Sequence, residues 1–129
     1  GRILINLTGV TRFEIVDEVK NNKLYREFKV KYNSFKEDLS ERKSVINSLQ
    51  LMEKAKVFFK RSGLLLNWRE FEKLDQTQKI DTLAMISPVT SEEKQKLLES
   101  ITLNEKVKTL EDIINFYLHE VNFNNQTIQ

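Results

Sequence analysis

The chain carries one histidine, His119, and no cysteine among its 129 residues. Those two counts remove most side-chain chemistry at once. Without cysteine there is no thiol nucleophile, no disulfide and no Cys-type zinc site. With one histidine there is no His pair to hold a metal. His119 also lacks a nucleophile beside it, and reads as a surface residue near the end of the last helix. There the helix dipole favours a protonated imidazole. The only glycines are Gly1, Gly9 and Gly63. They cannot supply the paired glycines and following Lys-Ser/Thr of a triphosphate-binding loop, nor a dinucleotide fingerprint. The carboxylates mostly stand at helical spacing from lysines, as Glu53 does from Lys56, with Lys54 nearby, and Glu93 from Lys96. Such pairs read as solvated helix faces rather than acid–base dyads. No cofactor, metal or catalytic residue is implied.

Two clusters have binding rather than catalytic potential. Lys54, Lys56, Lys60 and Arg61, with Arg12, could touch the phosphates of an RNA. Cations late in a helix also complement its dipole without any ligand. The net charge of +2, from 21 basic and 19 acidic residues, argues against a nucleic-acid partner. The second cluster is Leu64-Leu65-Leu66 followed by Trp68. Three leucines in a connection must either bury or present an apolar patch. Leu64, Leu65, Leu66 and Trp68 are therefore candidate protein-binding residues, with core packing as the competing reading.

The elements that must position these residues change character along the chain. Residues 2–33 read as a three-stranded antiparallel meander. Ile3, Ile5 and Leu7 alternate with Leu4, Asn6 and Thr8; Phe13 and Ile15 with Arg12, Glu14 and Val16; Phe28, Val30 and Tyr32 with Glu27, Lys29 and Lys31. Lys20-Asn21-Asn22-Lys23 is the turn signal between the last two. Such a sheet has two open edges and needs further strands, a second chain or a helical cover.

From Ser40 the period becomes helical. Val45, Leu49, Met52, Ala55 and Phe59 make one stripe, widened by Leu51 and Phe58, and Gly63 is placed to end that helix. Four capping boxes then open shorter helices: Asn67 with Glu70, Asp75 with Gln78, Thr90 with Glu93, and Thr102 with Glu105. Pro88, the one proline, ends a helix just before the third box. In the helix after it, Leu97 and Leu98 should face the bundle while Glu92, Lys94 and Lys96 stay wet. Val107, Leu110, Ile114, Tyr117 and Val121, flanked by Ile113 and Leu118, form the stripe of a last helix. The Asn-rich tail, 122–129, is expected to fray.

The fold class expected is α+β: an antiparallel meander over 1–39, a helical bundle over 40–121 and a tail over 122–129. No apolar run reaches the length needed to cross a bilayer, and Gly1–Leu7 lacks the features of a signal peptide. The absence of cysteine fits a cytoplasmic protein. A chain that opens in mid-strand without an initiator Met is expected to be a fragment of a longer protein.

Taken together, the segments resemble a known family. "RILINLTGVTRFEIVDEV" followed by "YREFKVKYNSFKEDL" is similar to the later strands of the substrate-binding domain of ATP-dependent Lon proteases. "LNWREFEKLDQTQKIDTLAMISPVTSEEKQKLLE" resembles the helical region of small bacterial proteins that carry this domain alone. The shared pattern includes Ala84, Met85, Ile86, Pro88, Glu93, Lys94, Gln95, Leu97, Leu98 and Glu99. The family's opening strands, with a Pro-rich apolar start and an aromatic-Glu-Pro-Arg-Tyr segment, have no counterpart here. The resemblance implies the later part of a PUA-like β-barrel followed by a helical subdomain. It implies a non-catalytic role: binding unfolded or degron-bearing polypeptides for a protease whose ATPase and peptidase lie elsewhere. The alternatives are an RNA-binding PUA-like module and a regulatory adaptor of a protease. Open β edges also raise a homodimer by strand exchange.

Overall fold

A computed structural model describes residues 2–39 and 47–126, with side chains as far as His119. The architecture is α+β: one two-stranded antiparallel sheet followed by helices. The chain forms two compact units, Gly1–Lys43 and Ser44–Gln129.

In the first unit, β1 (Glu14–Val19) pairs antiparallel with β2 (Glu27–Lys31). The register runs from Glu14 opposite Lys31 to Val19 opposite Glu27, with an irregularity between Ile15 and Asp17. Val16 is the extra residue of that bulge. Asn21 closes the connection, its side chain accepting from the Lys23 backbone N–H and donating to Glu27. A pair of short 3₁₀ turns follows over Asn33–Leu39. They bury Phe35, which is 7% exposed and the unit's one buried apolar side chain among the described residues. Arg12 stacks over its ring at 4.3 Å. The same guanidinium bonds Asp38 twice, each at 2.8 Å, and the Arg12 backbone N–H donates to that carboxylate at 3.0 Å.

Among the described residues the expected first strand is absent: residues 2–13 have no ladder partner there, and Ile3, Ile5 and Leu7 are exposed. The meander therefore has two strands rather than three. Alternation marks a segment that could lie in a sheet, but a strand exists only where a neighbour supplies its hydrogen bonds.

The second unit is a bundle. Its helices are α1 (Leu49–Arg61), α2 (Trp68–Phe71), α3 (Gln76–Ile86), α4 (Ser91–Glu99) and α5 (Leu103–Gln126). Leu51, Ala55, Phe58 and Phe59 of α1 meet Ile80 and Leu83 of α3, Leu97 of α4, and Val107, Leu110, Ile113 and Ile114 of α5. Three of the four expected capping boxes form, and the fourth forms by half. Asn67 accepts from the Glu70 N–H, and reciprocal boxes join Asp75 with Gln78, Thr90 with Glu93 and Thr102 with Glu105. Gly63 adopts φ +70° and completes the stop of α1. Its N–H donates to Lys60 O, and the Leu64 N–H reaches back to Phe59 O. Pro88 drives Ser87 to ψ 134°, so α3 ends at Ile86.

Three expectations are corrected in this unit. Leu49 points outward, because the buried face of α1 is centred on Ala55 and Phe59 instead. In α4, Leu97 is 2% exposed but Leu98 is 52% exposed. Successive residues lie about 100° apart around a helix, and α4 buries too narrow a stripe for both. The backbone stays helical to Gln126, past the point where the tail was expected to fray. Once a helix is nucleated, each further residue adds one hydrogen bond. Val45 falls outside the described residues.

Candidate functional site

The structure leaves apolar side chains exposed chiefly at the start of the chain. Ile3, Leu4, Ile5, Leu7 and Val10 precede β1, and every residue of β1 is exposed. In β2, by contrast, Glu27 and Val30 are half-buried.

The register sorts the hairpin into two unlike faces. Residues paired across an antiparallel ladder project to the same side. Ile15 with Val30 and Glu18 with Phe28 therefore share one face, continued by Phe13 and Tyr32, whose rings meet edge-on at 6.2 Å. Glu14 with Lys31, Asp17 with Lys29 and Val19 with Glu27 share the other. The bulge creates this arrangement. Residues 14 and 17 would lie on opposite faces of a regular strand, and the extra residue returns them to one side.

On the apolar face Glu18 is neutralised. Arg26 bonds it at 2.8 and 2.9 Å and stacks over Phe28 at 4.9 Å. The Arg26 guanidinium holds the Glu18 carboxyl below the usual carboxylate range. Lys23 is held above its ordinary value, first by its hydrogen bond to Glu27 and then by one to Tyr25.

The residues singled out from sequence are distributed differently. Leu65 is 102% exposed and Leu64 is also exposed, at the turn after α1. Leu66 and Trp68 are half-buried and pack on the core. Trp68 stands edge-on to Phe59 at 6.0 Å and Phe71 at 5.4 Å, with the Lys56 ammonium 5.5 Å from its ring.

The basic cluster is largely engaged with the protein itself. Lys54 pairs with Glu111 at 2.6 Å, Lys56 with Glu72 at 3.3 Å, and Arg61 donates to the Leu118 carbonyl at 3.3 Å. With Arg12 held by Asp38, these side chains do not present a row of cations to a phosphate backbone. Glu93 likewise is more than a solvated partner of Lys96, since the Tyr117 hydroxyl donates to it at 2.8 Å.

Sequence reasoning missed a shallow groove of about 310 Å³ between α1 and α5. Glu53, Lys54, Val57 and Arg61 line one wall, and Asn115, Leu118 and His119 the other. No local signal could have shown it, because its walls come from helices distant in sequence. His119 is thus a groove-rim residue well inside α5, not a terminal one. Among the described residues no cluster of three or more potential metal-ligating side chains occurs, and no helix is long and apolar enough to cross a membrane.

An α+β chain whose first unit exposes strand edges and apolar side chains has the features of a binding module. The family described as the ATP-dependent protease La (LON) substrate-binding domain matches residues 1–115. The chain belongs to this family, whose members are substrate-recognition rather than catalytic domains. No curated protein and no solved structure matches it.

Proposed function

We propose that this protein holds extended, unfolded segments of other polypeptides, and degron-bearing ones among them, without cutting them. The strand edges and apolar side chains of residues 2–32 are the seat of that binding. The observation that carries the reading is β1: an edge strand in a substrate-recognition family, exposed along its whole length on both faces. A strand edge offers unpaired N–H and C=O groups to any extended chain, and alternate side chains then set preference. On the helical unit, Leu64 and Leu65 offer an apolar contact of their own, with Leu66 and Trp68 fixing the turn that carries them. The bound polypeptide is destined for an ATP-dependent protease, and the cysteine-free composition suits the reducing cytoplasm. Two copies could also pair through the same edges.

The test is fluorescence anisotropy with a labelled, permanently unfolded polypeptide such as reduced, carboxymethylated α-lactalbumin. Saturable binding is expected, displaced by unlabelled unfolded chain but not by a folded protein, with the label staying intact on prolonged incubation. Absence of saturable binding up to the solubility limit would overturn the reading.

A further inference from the structure

We infer that the outer edge of β1 selects extended polypeptides in which apolar and basic residues alternate. The inference rests on the proposed function and names the substrate class at that edge. Its starting point is the edge already filled. The strand bound to β1 is Glu27-Phe28-Lys29-Val30-Lys31, in which apolar and basic residues alternate after Glu27. Lys29 and Lys31 stand opposite Asp17 and Glu14, while Val30 stands opposite Ile15. β1 presents the same side chains to a strand on its other edge, because a side chain projects from the sheet midway between both neighbours.

A chain added there meets Phe13 and Ile15 on one face and Glu14, Asp17 and Val19 on the other. Glu18 imposes nothing further on the apolar face, since Arg26 neutralises it. Glu14 accepts from the Ser34 hydroxyl and Asp17 from the Glu18 backbone N–H. Among the described residues neither carboxylate has a cation within ion-pair distance. Opposite charges directly across a ladder stabilise it and like charges destabilise it.

The same charges oppose symmetric self-pairing. β1 carries three carboxylates and no cation, so pairing with β1 of a second copy gains no opposite-charge contact across the ladder. Charges on exposed edges commonly serve to block such association. A second copy could add only its β2 to this edge, head to tail, which leaves further edges open and gives open-ended assemblies.

The experiment measures anisotropy of three labelled peptides with the full chain: Phe-Lys-Val-Lys-Tyr, Phe-Glu-Val-Glu-Tyr, and the non-alternating Phe-Val-Tyr-Lys-Lys. The alternating lysine peptide should bind roughly tenfold more tightly than the glutamate peptide, the sum of a few cross-strand charge pairs, and more tightly than the scrambled one. In the E14Q/D17N variant, whose neutral side chains spare the hairpin any like-charge contact, the lysine preference should vanish while apolar binding persists. Equal binding of the lysine and glutamate peptides, or of the scrambled one, overturns the inference and leaves the proposed function standing. If no peptide and no unfolded protein binds, both fall. If no peptide binds and sedimentation shows assemblies that grow with concentration, the edge belongs to a second copy and the inference is overturned.

Discussion

Gly63 stands where the chain leaves α1 with φ +70°, a backbone state that an L side chain adopts at a cost of roughly 1–2 kcal/mol. Nothing lies within 4 Å of where its Cβ would be, so the cost is conformational rather than steric. Gly63→Ala should therefore lower the unfolding free energy by about 1 kcal/mol in urea titrations followed by the fluorescence of Trp68. Asp38 is a second single-residue fulcrum. It holds both the side chain and the backbone N–H of Arg12 above the Phe35 ring. Asp38→Ala leaves a half-buried guanidinium and an amide without that acceptor, a loss on the order of 2 kcal/mol. Fast amide exchange at Arg12 and Phe35 is the expected readout. Glu18 gives a pH signature. Its carboxyl is lowered by folding, so its contribution is present above the ordinary glutamate value and lost as the pH falls through the folded one. Exchange in β1, corrected for intrinsic rate, should rise below about pH 4.3 in the native chain and lose that step in Glu18→Gln.

At the level of elements, what could be read from sequence was what is local. A capping box needs only residues three apart, and Asp75 with Gln78 and Thr90 with Glu93 form as written. Gly63 and Pro88 act through their own backbones and were equally legible. The stripe of α5 was legible because Val107, Leu110 and Ile114 repeat at the helical period and find α1, α3 and α4 to cover them. Ile3, Ile5 and Leu7 alternate just as clearly, yet form no strand, since alternation cannot supply the partner backbone. The faces of the hairpin were half legible. Phe28, Val30 and Tyr32 gave one side, but the bulge at Val16 decides which β1 residues oppose them, and only the register reveals it. Leu110, fully buried where α5 crosses the bundle, tests the element's role. Leu110→Ala should cost about 2–5 kcal/mol in the same urea titration, among the largest losses available to one truncation here.

At the level of the molecule the two units are built on opposite principles. The described residues of the second unit bury their apolar stripes, with side-chain caps at the starts of α2 to α5 and ion pairs on the surface. The described residues of the first unit bury Phe35 and expose most of their other large apolar side chains, beside two strand edges that no other described residue fills. We propose that this patch is where the substrate-recognition domain works on other chains. The groove between α1 and α5, in contrast, has its cations already engaged by Glu111 and the Leu118 carbonyl. The measurement that bears most directly on this account is hydrogen exchange of the full chain with and without saturating unfolded polypeptide. The account predicts slowed exchange of the amides of Glu14–Val19, with Leu103–His119 unchanged. Binding that leaves Glu14–Val19 unprotected, or that protects only the helical unit, would contradict it.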